Sequence, residues 1–391
     1  MSQALKQMVF FADSFFEHFS RLVALGILDA PEFEGRWQLR ILPPPRKASE
    51  MAGLLSRLSP SAAVIFRLER DLVSMLLKHK IPCVVVDDDT HPWANIPVIE
   101  IDHEAVGRLA ADYFLERRHY HFAVARTSER ALFAKRQRGF VRRLAKSKYS
   151  CNVFLMPGGE GITKLFHTHR APLRTRKWLL KLPKPCAIFA TNDAAGLHII
   201  EACHELGIRV PEDVAVLGVD NTILICRTAP TPLSSVSVPF EEQGRKAARL
   251  LCNWNAANPP GRSIQQLAPL EVVSRSSTTS LSAHDPIVAR ALDYIERHIS
   301  EPFRVRDLKA LTAVSTPTLV ARFRQELSLT PIEVVRRERI RYAKRMLLEN
   351  NDLIGTTAKN CGFGSLERFC KVFREMVGQT PLQYRQSVRE T

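Results

Sequence analysis

Residues 365–381 read SLERFCKVFREMVGQTP, and residues 315–331 read STPTLVARFRQELSLTP. At a constant offset of 50 the pairs Ser315/Ser365, Phe323/Phe373, Arg324/Arg374, Thr330/Thr380 and Pro331/Pro381 recur, with apolar Leu319 matched by apolar Phe369. One unit is used twice. Each copy is a serine placed to cap a helix, a basic amphipathic helix, and a Thr-Pro that caps and opens the next helix. A short helix ahead of each copy, over Val305–Leu311 and Leu353–Lys359, completes the spacing of a helix-turn-helix DNA reader.

In the second copy Phe369, Val372, Phe373 and Met376 make one apolar stripe, which predicts core. Ser365, Leu366, Glu367, Arg368, Lys371 and Arg374 occupy the other faces, a mixture able to meet phosphates and base edges. Arg368 is assigned to a base and Arg374 to a phosphate, with a one-residue rotation of the helix exchanging the two roles. In the first copy Leu319, Phe323 and Leu327 form the stripe and leave Thr316, Thr318, Val320, Arg322 and Arg324 toward a groove, although Val320 offers no hydrogen-bonding readout. Between the copies runs a helix over Thr330–Asn350 with Ile332, Val335, Ile340, Ala343, Met346 and Leu347 as its buried stripe. Such a helix spans roughly 30 Å, close to the separation of successive major grooves on one DNA face. The alternative, a solvated face on an ordinary bundle helix, does not account for the repeat.

The stretch Asp285–Arg385 resembles the DNA-binding domain of AraC-type transcription regulators. Ala358, Cys361-Gly362-Phe363, Phe369, Phe373, Gly378, Thr380-Pro381 and Tyr384-Arg385 stand where that family has A-x-x-x-G-F, F-x-x-x-F, G-x-T-P and Y-R. The first copy departs from the pattern: Val314 replaces the turn glycine, Ala321 a basic residue, and Pro317 sits in the first helical turn, where its missing N–H has no partner to lose.

Charge agrees with a polyanionic partner. The 56 Lys+Arg outnumber the 40 Asp+Glu for a net +16, and residues 286–391 hold 19 basic against 12 acidic residues. That balance favours DNA through counterion release, and basic ribosomal or membrane-surface proteins share it. No stretch approaches the roughly 20 apolar residues of a membrane span, and Lys6, Asp13, Glu17 and His18 interrupt any signal-peptide core. The 8 cysteines are scattered without a C-x-x-C pair, so they read as thiols of a reducing compartment, the cytoplasm. The 12 histidines show no ligand spacing, and neither a metal nor another cofactor is expected.

Upstream of a Ser/Thr-rich stretch, Ser274–Asp285, the pattern changes to short apolar runs alternating with helical ones: Met8–Phe11, Ala62–Phe66, Cys83–Val86, Phe122–Ala125, Cys186–Ala190 and Val214–Val219. These predict a parallel α/β sheet. The domains expected are therefore a core over 1–277, a linker over 278–285 and the reader over 286–391. Ligands of open α/β sheets bind outside the carboxyl ends of strands. Asp13, Arg67, Asp87, Asn192-Asp193 and Asp220-Asn221 stand at those ends.

Residues 1–277 resemble the two-lobed sugar-binding core of LacI-type repressors and periplasmic binding proteins. The resemblance is carried by Asp102 with Leu109–Leu115, Arg136–Phe140, Ala190–Gly196, Gly207–Asn221 and Pro232–Val236. It implies an α/β two-lobed LacI-type core joined to an all-α double helix-turn-helix domain. Together they resemble regulators of the xylose-operon type, with the reader placed C-terminally and no N-terminal reader ahead of the first strand. That resemblance implies a sugar effector, with a pentose such as D-xylose suggested, a double-stranded DNA operator, a homodimer, RNA polymerase as partner, and activation of a sugar-catabolism operon. It places Arg136, Asn192 and Asp220 against sugar hydroxyls, a complete polar set of guanidinium fork, amide and carboxylate. Asp13, Arg67 and Asp193 are further polar candidates, although Asp193 fits equally the cap of a helix beginning at Ala194. Phe19 and Phe133 fit either the apolar face of a sugar ring or the core.

Two other classes stand against this reading. An enzyme needs a nucleophile with a base or a phosphate loop, and Gly158-Gly159-Glu160-Gly161 lacks the Lys-Ser/Thr that would make one. A constitutive architectural DNA-binding protein, or a regulator answering another monosaccharide, remains as the alternative.

Overall fold

The computed structural model describes residues 5–12, 18–45, 47–66, 70–87, 96–157, 171–255, 260–261, 263–278, 285–301, 303, 307–327, 329–349 and 352–389. Asp13, Arg67 and the glycine cluster at 158–161 lie outside the described residues.

Two parallel sheets form the two lobes. The first contains β1 (Lys6–Phe11), β2 (Trp37–Leu42), β3 (Ala62–Phe66), β4 (Cys83–Val86) and β5 (Val98–Ile101), with β11 (Ile264–Leu267) added at its edge in the order β11-β5-β4-β3-β1-β2. The second contains β6 (Phe122–Arg126), β7 (Cys151–Leu155), β8 (Cys186–Ala190), β9 (Val214–Val219), β10 (Ser234–Val236) and β12 (Val272–Val273), ordered β12-β10-β9-β8-β6-β7. Only the β10–β12 pairing is antiparallel among those described. The continuous apolar runs are the central strands, buried from end to end because helices cover both faces. The edge strand β7 is missing from the sequence reading for the complementary reason: Val153 and Leu155 face solvent and the run never becomes continuous.

Helices α1 (His18–Leu28), α2 (Ala48–Leu58) and α3 (Arg70–Lys78) belong to the first lobe, and α4 (His103–Glu116), α5 (Ala131–Lys146), α6 (Leu173–Lys181), α7 (Asp193–Glu205) and α8 (Ile223–Thr228) to the second. Helix α9 (Phe240–Cys252) returns to the first lobe, packing on α1 and on β3, β4 and β5. The chain therefore passes between lobes after β5, after β10 and after β11. These crossings are stitched together: Asp102 N donates to Leu267 O at 2.8 Å, Ser237 N to Glu271 O at 2.8 Å and Leu270 N to Ser237 O at 3.0 Å.

Part of the expected linker is bound to the core. Ser274–Thr278 has few large apolar groups, yet Ser277 Oγ donates to Val216 O at 2.6 Å and accepts from Ser234 N at 2.8 Å, and Ser277 and Thr278 are fully buried. Its hydroxyls satisfy backbone groups at the end of the sheet, a role that composition alone does not reveal.

The C-terminal region is helical: α10 (Pro286–Arg297), α11 (Asp307–Thr312), α12 (Thr316–Leu327), α13 (Pro331–Glu349), α14 (Ile354–Asn360), α15 (Leu366–Val377) and α16 (Pro381–Arg389). It has two small cores strung along α13. One gathers Leu319, Phe323 and Leu327 with Val288, Leu292 and Val334; the other gathers Phe369, Val372 and Phe373 with Ile340, Leu347 and Phe363. The repeat extends to the caps. Thr330 N donates to Glu333 Oε2 at 2.7 Å and Thr380 N to Gln383 Oε1 at 2.9 Å, each a reciprocal capping box. Met376 and Ile332, read as stripe residues, are instead exposed, because each stripe is narrower than its apolar pattern.

Candidate ligand cleft and nucleic-acid interface

Helices α4 and α5 cross with their backbones in contact. A Cβ on Gly107 would lie 2.0 Å from Arg136 O, and one on Gly139 would lie 2.1 Å from Glu104 O. Two glycines at the crossing thus bring the start of α4 beside the second turn of α5, and this places His103 against Arg136. Both side chains are 3 % exposed.

Arg136 is held on three sides. Its Nη1 donates to Thr191 O at 2.7 Å, its Nη2 to Asp220 Oδ1 at 2.9 Å, and its Nε to His103 Nδ1 at 3.2 Å. His103 Nε2 in turn faces Asp87 Oδ1 at 3.8 Å, at the carboxyl end of β4. The cluster joins strand ends from both sheets. A second polar link crosses nearby, where Lys135 Nζ of α5 lies 3.7 Å from Glu100 Oε2 of β5. Burial first, and then the positive charges of Arg136, Lys135 and Arg130, hold the imidazole of His103 well below the ordinary histidine range, so it is neutral.

Asp220 and Asn221 take positive φ in the turn after β9, and Asp220 N donates to Val236 O at 2.9 Å. That turn is braced by Asp193. Its Oδ2 accepts from Thr222 N at 2.6 Å and its Oδ1 from Ser235 Oγ at 2.6 Å, and the side chain is 1 % exposed. Burial and the neighbouring Asp220 charge push the Asp193 carboxyl up to about 7, against the opposing pull of hydrogen bonds from Ser235, Thr222 and Cys226. Asp193 therefore braces the loop that carries Asp220, and it is not the cap of α7. Asn192 is the cap, its Oδ1 accepting from Ala195 N at 2.8 Å, which leaves the amide donors of Asn192 for other partners.

The two aromatic candidates separate. Phe19 packs on Phe240 with ring centroids 5.0 Å apart, at the side of the first lobe's core. Phe133 is half-buried on the first turn of α5 and is not among the residues of the described core clusters. Sequence reasoning missed His103, and also Thr127 and Ser128, buried polar residues at the end of β6. A usable signal existed for His103, which follows the strand Val98–Ile101 and its cap residue Asp102 at a strand's carboxyl end.

In the reader, Ser315 and Ser365 cap α12 and α15, accepting from Thr318 N at 3.3 Å and Arg368 N at 3.2 Å. With Phe369, Val372 and Phe373 inward, the 100° helical step puts Glu367, Lys371 and Arg374 on the outermost face of α15. Arg368 sits on the flank, where it is near enough to help depress the pKa of Arg339 on α13, and Ser365 and Leu366 open the helix, exposed. At the matching positions of α12 stand Pro317, Ala321 and Arg324. Of the residues expected there, Thr316, Thr318 and Arg324 are exposed and Val320 is half-buried. Arg322 is already engaged, its Nη1 donating to Asp285 Oδ2 at 2.6 Å.

Residues 111–278 match the family of periplasmic binding protein-like domains, and residues 308–387 match a helix-turn-helix domain family. The chain is 27 % identical to the xylose operon regulatory protein of Escherichia coli (strain K12) over 81 % of each chain, and 28 % identical to that of Haemophilus influenzae over 79 % of this chain and 81 % of the other. The solved structure of the xylose-binding transcription activator xylR superposes with a TM-score of 0.64 at 23 % identity, covering 98 % of both chains. The lac repressor dimer bound to operator superposes with a TM-score of 0.55 at 19 % identity over 71 % of this chain and 95 % of the other. With a two-lobed periplasmic-binding-protein-like fold followed by paired helix-turn-helix units, the chain has the make-up of a DNA-binding transcription regulator and is similar to the xylose operon regulatory proteins over four-fifths of its length.

Proposed function

We propose that the chain is a sugar-responsive, sequence-specific regulator that activates a sugar-catabolism promoter, with a pentose such as D-xylose as effector. The observation that carries this is Arg136 held by Asp220, Thr191 and His103 between strand ends of the two sheets, with Asn192 next in the chain after Thr191. A guanidinium, a carboxylate and an amide on one wall match hydroxyls that donate and accept at once, and the half-buried Phe133 would cover the apolar ring face. Binding energy that differs between open and closed lobes would then shift the placement of the readers.

Helix α4 is the route for that shift. Its first residue, His103, lies in the cleft, and its far end carries Tyr113 and Arg117, with Arg117 stacked on the Tyr113 ring at 3.4 Å. Arg117 lies within reach of the charges of Glu338 and Arg341 on α13. Two readers in one protomer cover a half-site, so the working form is taken as a homodimer on a two-part operator, recruiting RNA polymerase. The cytoplasm is the fitting compartment, since the 8 cysteines are free thiols. Among the described residues no helix is long and apolar enough to cross a membrane.

Calorimetry against a panel of pentoses and hexoses, followed by genomic DNA pull-down with and without the tightest binder, tests the reading. Enrichment of discrete promoters that changes with sugar is expected. Uniform coverage insensitive to every sugar would overturn it in favour of an architectural protein.

A further inference from the structure

His103 touches Arg136 directly, yet no sugar-contact motif of the sequence includes it. An arginine N–H only donates, so the 3.2 Å contact from Arg136 Nε makes His103 Nδ1 an unprotonated acceptor and places the ring hydrogen on Nε2, toward Asp87. With Nε on the imidazole, Nη1 on Thr191 O and Nη2 on Asp220, the guanidinium plane has one orientation. These three contacts leave one hydrogen each on Nη1 and Nη2 for a ligand. All three holders lie in the second lobe, Thr191 and Asp220 at strand ends and His103 at the start of α4 just after the crossing from β5, and His103 also faces Asp87 of the first.

We propose that His103 is the positioning residue of the cleft: its neutral Nδ1 fixes the plane of the Arg136 fork, and its seat beside Asp87 makes that orientation depend on the two lobes being together. The inference rests on the reading of the cleft as a sugar site. Removing the acceptor would leave the buried Nε–H unpaired and the fork free to turn about its last bond. Affinity for a polyol would fall without any sugar contact being deleted.

The test uses the full chain and three substitutions. In His103→Asn the amide oxygen can stand at the Nδ1 position; in His103→Gln the amide reaches the Nε2 position and leaves Arg136 Nε without its acceptor; His103→Leu removes both. Titration with D-xylose, D-ribose and D-glucose is expected to show His103→Asn within about threefold of the parent, and His103→Gln and His103→Leu weaker by about tenfold or more. Equal losses in the Asn and Gln variants, or parental affinity in the Leu variant, would overturn the proposal. A readout that needs no sugar accompanies it: the Arg136 Nε–H resonance is expected to be protected from solvent exchange in the parent and in His103→Asn, and unprotected in His103→Gln. Protection retained in His103→Gln would also overturn it. Arg136→Ala and Asp220→Ala separate the two levels. If neither weakens sugar binding, the cleft reading itself has failed, whereas their loss beside an unaffected His103→Gln refutes only the role of His103.

Discussion

The phenolic oxygen of Tyr113 lies 2.6 Å from Thr278 Oγ1, which ties the far end of α4 to the last residue described before the reader domain. Ser274 Oγ is 2.8 Å from the same phenol, and Thr278 also meets Ser234 Oγ at 2.6 Å, so three segments of the second lobe converge there. A helix of 14 residues is about 20 Å long, and its opposite end is His103.

Tyr113→Phe is therefore expected to keep sugar affinity while shrinking the sugar-dependent change in DNA affinity. Each lost hydrogen bond contributes about 1 kcal/mol, so a several-fold reduction in the ratio of DNA affinities with and without sugar is the scale to look for. An unchanged ratio in fluorescence-anisotropy titrations would remove α4 from the signalling route.

Asp220→Ala and Arg136→Ala are each expected to weaken sugar binding by roughly ten- to hundredfold, since hydrogen bonds to charged groups contribute about 1.5–3 kcal/mol. DNA affinity without sugar should change little. Asp193→Ala should lower affinity indirectly, through the loop that carries Asp220, and its signature is a lower melting temperature together with weaker binding. Calorimetry and thermal melts on the same three variants distinguish contact from support.

The two readers are expected to be unequal. Lys371→Ala, on the outer face of α15, should cost about 1–3 kcal/mol on preferred DNA and little on random DNA. Arg368→Ala, on the flank, should cost less on preferred DNA than Lys371→Ala, the reverse of the role its sequence position suggested. Because α12 offers Pro317 and Ala321 where α15 offers Glu367 and Lys371, base substitutions in the half of the site under α12 should be better tolerated. Footprinting of variant operators measures this directly, and equal tolerance in both halves would refute the division.

His119 is expected to make stability fall on acidification from near neutrality, a slope opposed by Asp193, whose carboxyl at about 7 takes up a proton in the folded chain over the same range. His119 is 2 % exposed, its ring edge against Phe114 with centroids 5.2 Å apart, and burial first and Arg117 second depress its pKa from 6.5 to about 3. The unfolded chain therefore binds a proton that the folded chain refuses between pH 6.5 and 3. Stability due to the neutral ring is complete above 6.5 and declines by up to about 1.4 kcal/mol per pH unit below it. His119→Leu should flatten that slope in denaturant titrations between pH 7 and 5; His103, depressed in the same direction, supplies a remaining slope.

Local periodicity and capping chemistry were legible in the chain itself. The duplicated reader, its Ser and Thr-Pro caps, and the fully buried strands follow from residues within a turn or two of each other, so spacing alone specified them. The cleft is different in kind. His103 and Arg136 are 33 positions apart and Arg136 and Asp220 are 84 apart. They meet because Gly107 and Gly139 let two helices touch and because two sheets end at one seam. The same holds for Asp193, whose carboxylate could face a ligand or a neighbouring loop on any sequence argument and is turned to Thr222 and Ser235 by the packing of β9 and β10. Ser274–Thr278 completes the contrast: a hydroxyl-rich segment reads as solvated chain until tertiary structure supplies buried backbone groups for those hydroxyls to satisfy.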